Sequence, residues 1–412
     1  MRIAVASSGL GHVTRGIEAW AADLAHALHG RGMSVVLFKG GGKAEKPYER
    51  VVRCLQRGSP RTARLLRVIP RRFFWRVGLG SPIDTEQTTF ALSLLAQLRR
   101  EAIDLVHVQD ALVALIVQRA RRLGLVRTLT ILGHGTNEPN SFLKNIAYLH
   151  HLAPHHLEEA RKAGVWRPTW TAIPNFIDTD VFRPGRADAL RAELGIPRDG
   201  LVLLTSAAIK RDHKRVDYLL DEFGQLLKTN PGLPAWLVVA GGLEPDTEEL
   251  IEQGRKTLGD RVRFLVRYPR DRMPELYRLA DVFALCSLRE MMPIALIEAT
   301  ASGLPCLVHR HPVCQWIVGP GGESIDMSVS GSLAAALKTL LDDANRRRTC
   351  GEQARQHCRE SFSQDQVVDQ IVDYYQFVLR NAQMPRATET VIAGTGAELR
   401  QEIQSGVPLR KR

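Results

Sequence analysis

Residues 282–308 read VFALCSLREMMPIALIEATASGLPCLV. A short apolar run, VFALCS, gives way to a polar break. Pro293 then suits the first turn of a helix, and Gly303 and Pro305 precede a second apolar run, CLVH. That order is strand, loop, helix, turn, strand, the pattern of a crossover between parallel strands. Both runs are apolar at nearly every position rather than at every second one, as strands covered by helices on both faces are. Working outward, LVLLTSAA (201–208), AWLVVAGG (235–242) and VRFLV (262–266) repeat the rhythm. An earlier series has candidate strands at 2–6, 34–38, 105–109 and 128–132, with a helix at 17–28 whose Trp20, Leu24, Ala27 and Leu28 share one face. The fold class is α/β: two Rossmann-like, doubly wound domains in tandem.

Between the two series lies IPNFIDTDVFRPG (173–185), where Pro174, Asn175, Pro184 and Gly185 break both periodicities. The expected organisation is a first domain at 1–172, a linker at 173–184 and a second domain at 185–364. A helix follows at 365–381, with Val368, Ile371, Val372 and Tyr375 on one side, and then a loose polar tail at 382–412. A length of 412 residues with 44% hydrophobic and 24% charged composition is that of a globular chain of two ordinary domains. No apolar run is long enough for a bilayer, and the start MRIAVASSGLGHV lacks the zones of a secretory signal, so a cytoplasmic protein is expected. Six cysteines without a CxxC pair read as reduced, packed thiols.

Glu290 follows the strand VFALCS directly and so falls at the carboxyl end of a parallel sheet, where open α/β domains place ligands. Glu298 lies within the following helix, facing either the same cleft or solvent. The two carboxylates could hold different hydroxyls of one sugar nucleotide while the amides between them hold phosphate. A second cluster, Lys210, Arg211, Lys214 and Arg215, follows the strand at 201–208, at a helix start where the dipole disfavours cations. A bound diphosphate would account for it, and so would a solvated basic loop. The first loop, SSGLGHVTRGIE, carries Gly9 and Gly11 between strand and helix. It is a poor dinucleotide fingerprint, because Thr14 stands where the third glycine belongs and the second strand ends near Lys39 instead of an acid. His134 follows a strand between two glycines, a placement suited to a cleft. His150, His151, His155 and His156 read as structural because Pro154 interrupts them, and Asp178 and Asp180 read as turn residues, so no catalytic metal is expected.

The Glu-seven-Glu spacing with ATASGLPCL after it, the linker IPNFIDTDVF, and the Gly-rich first loop followed by AADLAHALHGRGMSVVLF together resemble the retaining nucleotide-sugar glycosyltransferases of family four, within the glycosyl transferases group 1. The resemblance covers the chain to about residue 380. It implies a GT-B arrangement, two Rossmann-like domains facing a cleft, with the C-terminal helix packing back towards the first domain. Glu290 would contact donor-sugar hydroxyls and Glu298 the ribose, with Met291, Met292, Pro293 and Ile294 lending backbone contacts. Lys214, with Lys210 or Arg211, would neutralise the leaving diphosphate. His134 would stand near the transferred sugar, Gly9, Gly11 and His12 across the cleft from the phosphates, and Val266 and Arg267 beside the base. The implied donor is a nucleotide-diphosphate sugar of the UDP or GDP type, used without metal or other cofactor, and the acceptor is of unknown identity.

The net charge of +12 is concentrated in one stretch, since nine arginines and no acid lie between Glu49 and Asp84. The segment from Arg61 to Arg76 mixes cations with Leu, Ile, Phe and Trp. Three readings stand for it: peripheral contact with an anionic membrane at its inner face, a pocket for an acidic acceptor, or a solvated loop. Nucleic acid is not the expected partner, because no zinc finger, RNP-like or helix-turn-helix pattern accompanies the charge. A relative that binds a nucleotide sugar without turning it over, or a phosphorylase or epimerase on the same scaffold, is the remaining alternative.

Overall fold

A computed structural model of the chain describes residues 1–13, 16–68 and 78–383. Thr14, Pro70, Arg71, Arg72, Arg76 and the tail from 384 onward, all of which enter the sequence reading, lie outside the described residues. By compactness the chain divides into a unit of Met1–Ile371, which holds both sheets, and a second of Val372–Arg412.

The first sheet has seven parallel strands: β1 (Arg2–Ser7), β2 (Ser34–Lys39), β3 (Glu49–Val51), β4 (Leu105–Val108), β5 (Leu129–His134), β6 (Tyr148–His151) and β7 (Trp170–Ala172). Their order is β3-β2-β1-β4-β5-β6-β7. The second sheet has six: β8 (Leu201–Ser206), β9 (Ala235–Gly241), β10 (Val262–Val266), β11 (Val282–Leu285), β12 (Cys306–His309) and β13 (Gly322–Ile325), ordered β10-β9-β8-β11-β12-β13. Each is a Rossmann-like sheet whose strand order reverses once, between β1 and β4 and between β8 and β11. Those reversals are where crevices open at the carboxyl ends.

The continuous apolar runs are explained by two-sided burial. In β11, Phe283 and Leu285 join one core cluster while Val282 and Ala284 join the other, and β8 and β9 alternate in the same way. Short strands without such runs escaped the sequence reading: β3, β6, β7 and β13 are three or four residues long and are held by neighbouring strands. The segment after β7 pairs back on the chain, Ile177 bridging Ser363, with Ile177 N–H on Phe362 O at 2.9 Å. Arg31, just past the first helix (Gly16–Gly30), reaches Asp369 at 2.5 Å and the Asp365 carbonyl at 2.9 Å. All six cysteines are free; Cys54 and Cys350 are half-buried and the rest buried. Among the described residues no helix is long and apolar enough to cross a membrane.

Candidate active site

A cavity of about 340 Å³ is built from the carboxyl ends of both sheets at their switch points. One wall comes from the first sheet: Gly16 and Ile17 at the start of the first helix, Gln109 after β4, Gly135 after β5 and Leu152 after β6. The opposite wall comes from the second: Ser206 ending β8, Lys214 in the loop after it, Leu285 ending β11, and the loop from Glu290 into the helix Ile294–Ala301.

The loop owes its shape to local constraints. Pro293 (φ −72°, ψ 107°) is the residue before the helix, not part of its first turn as the sequence suggested, because the following backbone needs its extended ψ to enter the helix. The first N–H groups of a helix have no intrahelical acceptor, and here Ile294 and Ala295 line the cavity. Leu288 N–H on His213 O at 3.2 Å ties this loop to the one after β8. That brings the Lys214 ammonium onto the Glu290 carboxylate, both side chains largely buried. Asn175 Nδ2 donates to Met292 O at 3.4 Å, and Gln109 Nε2 donates to Asn175 Oδ1 at 3.4 Å. A cation, a carboxylate, a helix N-terminus and a set of side-chain amides thus converge on one space. Such a set can hold an anion and hydroxyl groups together.

Glu298 does not face solvent and is not among the residues that line this cavity. It is buried, accepts from Tyr277 Oη at 2.8 Å, and lies 3.6 Å from Arg270 Nη1, which also holds Asp23 of the first helix at 2.7 Å. Burial pushes its carboxyl above the usual range, with Arg270 and Tyr277 opposing. His134 is not in a loop. It ends β5, because Gly133 and His134 pair with His150 and His151 of β6, the strand the sequence reading missed. Its Nδ1 lies 3.0 Å from His151 Nδ1, and burial, with smaller contributions from His156 and His150, pulls it down to about 4. Its neighbour Gly135, not His134, lines the cavity.

The other expected residues stand apart from the cavity lining. Arg211 turns to Glu249 (3.7 Å), its own N–H going to Asp246 at 2.7 Å, and Lys210 Nζ lies 4.0 Å from Asp212. The helix after this loop begins at Val216, so none of the four cations is in its first turn. Arg215 takes a left-handed φ of 50° and stacks on Tyr218 at 4.2 Å. Val266 ends β10, and Arg267, at φ 55°, gives its N–H to Gly241 O at 2.8 Å. Gly11 (φ 95°) packs so closely on Gly41 that a Cβ would stand 2.2 Å from its carbonyl oxygen. His12 also stands apart, its Nε2 2.8 Å from buried Glu86, which binds Arg57 as well. The four clustered histidines split, His150 and His151 lying in β6 and His155 and His156 in the helix Pro154–Lys162. Asp178 accepts from Asp180 N–H and Val181 N–H at 2.9 and 3.1 Å, as a turn residue does. Arg61, Arg64 and Arg67 are exposed on the helix Pro60–Val68.

Two family descriptions match the chain in succession: "Glycosyltransferase Family 4" over residues 14–181 and "Glycosyl transferases group 1" over 187–357. The chain belongs to the group 1, family 4 glycosyltransferases. Among its relatives, a D-inositol 3-phosphate glycosyltransferase of Catenulispora acidiphila is 27% identical over 63% of the chain and 66% of the relative. One from Nocardia farcinica is 30% identical over 54% of the chain and 51% of the relative. The chain thus spans about half to two thirds of the length of these two curated relatives. The N-acetyl-alpha-D-glucosaminyl L-malate synthase of Bacillus anthracis is 25% identical over 77% of the chain and 87% of its own length. Of solved structures, the sucrose-phosphate synthase of Thermosynechococcus elongatus superposes with a TM-score of 0.72 at 22% identity, covering 92% of this chain and 99% of that one. Anabaena HepE in complex with UDP and glucose gives 0.70 at 18%, covering 91% and 99%. These likenesses show the GT-B fold for this chain.

Proposed function

We propose that this glycosyltransferase moves a sugar from a nucleotide-diphosphate sugar, of the UDP or GDP type, to an acceptor hydroxyl with retention of configuration and without a metal. The observation that carries the reading is the Lys214–Glu290 pair at the cavity edge, set against the start of the helix Ile294–Ala301. Without donor the two charges satisfy each other. A diphosphate entering the cavity competes for the ammonium, and the freed carboxylate accepts from sugar hydroxyls, so the pair is exchanged for two substrate contacts at little net desolvation. Lys214 and the helix-terminal amides then stabilise the charge that develops on the leaving diphosphate, which is where such a reaction needs electrostatic help. The departing phosphate oxygen takes the acceptor proton on the same face, and no protein nucleophile is needed. Gln109, Gly135 and Asn175 form the wall on which the acceptor would sit. A cytoplasmic location belongs to the same reading, and six unpaired cysteines suit it.

The test is turnover over a panel of nucleotide sugars and acceptors, with and without EDTA. Glu290→Gln and Lys214→Ala should each lower kcat by about 100-fold or more, as loss of one transition-state electrostatic contact does. Wild-type turnover in either variant refutes the assignment, and abolition by EDTA refutes metal independence.

A further inference from the structure

The helix Pro154–Lys162 follows β6 and places three side chains of metal-ligating type on one face: His155, His156 and Glu159, one ligand atom of each lying within 4.8 Å of the others. His155 Nε2 is 3.5 Å from Glu159 Oε1, and His156 Nδ1 is 3.2 Å from Glu159 Oε2. Zinc bonds of about 2.0–2.2 Å in tetrahedral geometry separate neighbouring ligand atoms by about 3.3 Å, so these spacings fit one shared cation.

The second ring nitrogen of His156 fixes its tautomer. Nε2 lies 3.3 Å from Met291 O, and a carbonyl can only accept, so Nε2 carries the hydrogen. In the neutral ring, Nδ1 then presents a lone pair to a carboxylate oxygen at 3.2 Å. Two acceptors face each other at that distance only with a proton or a metal ion between them. A ligating histidine whose other N–H goes to a backbone carbonyl is the usual arrangement around a bound metal. His311 adds to the case. Its ring stands 6.2 Å from that of His155, and among the described residues its Nδ1 is buried without a hydrogen-bond partner.

We propose that His155, His156 and Glu159 bind a divalent transition cation of the zinc class, and that its occupation holds the cavity loop through the bond from His156 to Met291. Imidazole and carboxylate together suit Zn²⁺ over Ca²⁺ or Mg²⁺. Metal on Nδ1 makes Nε2–H a stronger donor, so the Met291 carbonyl is gripped harder and the loop from Glu290 to Pro293 loses freedom. Because that loop lines the cavity, a bound cation acts as a brake on whatever the cavity must open to admit.

The experiment is calorimetric titration of the untagged full chain with zinc chloride, with Co²⁺ absorption reporting coordination geometry. One cation should bind per chain, and His155→Ala and Glu159→Gln should each weaken it at least tenfold. Absence of binding at about 100 μM zinc, or unchanged affinity in both variants, overturns the site. Amide hydrogen exchange across residues 286–296 reads the coupling: zinc should slow it at least threefold in the wild type and not in His155→Ala. Equal exchange with and without zinc in the wild type overturns the brake. Neither measurement uses a nucleotide sugar, so failure of the proposed transferase activity would leave both results standing.

Discussion

Glu86→Gln tests whether the first loop is held by one buried carboxylate. The Glu86 side chain is fully buried and accepts from Arg57 Nη2 at 2.6 Å, Arg57 Nε at 3.0 Å, Arg57 N–H at 2.7 Å and His12 Nε2 at 2.8 Å. Glutamine preserves the volume, so no cavity term enters. Its single carbonyl oxygen can serve about two of those four donors, and its NH₂ group confronts the others. Leaving two buried donors short at about 1–3 kcal/mol each gives roughly 2–6 kcal/mol, in line with the about 3–5 kcal/mol for removing one member of a buried ion pair. Urea unfolding at pH 7 should show a loss near the middle of that range with an unchanged m value. The pH dependence supplies an independent check. Burial pushes the Glu86 carboxyl up, but the side-chain and backbone bonds from Arg57 and the bond from His12 outweigh it and hold it below the usual range. A carboxyl depressed in the folded state stabilises fully above its unfolded pKa of about 4.3 and loses that contribution as pH falls through the folded value. The gap between wild type and Glu86→Gln should therefore close on acidification below about pH 4. A loss under about 1 kcal/mol at pH 7, or a gap that persists in acid, refutes the reasoning.

Three further outcomes are expected. Gly11→Ala forces a Cβ to within 2.2 Å of the Gly41 carbonyl at φ 95° and should cost more than about 2 kcal/mol, whereas Gly58→Ala, with nothing within 4 Å, should be near neutral by thermal melt. Four buried histidines are depressed by desolvation, His134 and His150 to about 4, His151 to about 2 and His107 well below its ordinary value. Such groups stay neutral when folded and take up protons on unfolding, so they lower stability as pH drops below about 6.5, against an opposite contribution from Asp110, which burial raises to about 6 and which releases its proton on unfolding. His151→Asn should remove about one proton from the unfolding slope near pH 5, and an unchanged slope excludes the arrangement. Tyr277→Phe removes the donor to Glu298 inside the core and should cost about 1–3 kcal/mol, while Asp23→Asn, which breaks a half-exposed bridge to Arg270, should cost under about 1 kcal/mol in urea unfolding.

What the sequence showed and what it hid differ in range along the chain. The two-sheet fold is legible because a strand buried on both faces writes itself into consecutive residues, as VFALCS and LVLLTS do. The loops after β8 and β11 are legible for the same reason: Lys214 and Glu290 each sit a few residues beyond a recognisable strand, and the fold brings all such strand ends to one side. Charge partners carry no comparable local mark. Arg57 reads as one of nine cations in an acid-free stretch, yet its partner Glu86 lies 29 residues on, just past the end of that stretch, and His12 meets the same carboxylate across 74 residues. Arg211 belongs to a cationic cluster in sequence and to Asp246 and Glu249 in space. Glu298 is tied to Glu290 by the Glu-seven-Glu spacing in sequence, but in space its buried oxygens meet Tyr277 and Arg270. The same holds for His134, whose position changed because β6, four residues long and rich in histidine, has no apolar signature. A cation or histidine near a strand end thus becomes a ligand candidate only when the fold leaves it facing the cavity. Of the cations singled out after β8, Lys214 alone lines that cavity, and it does so already paired with Glu290.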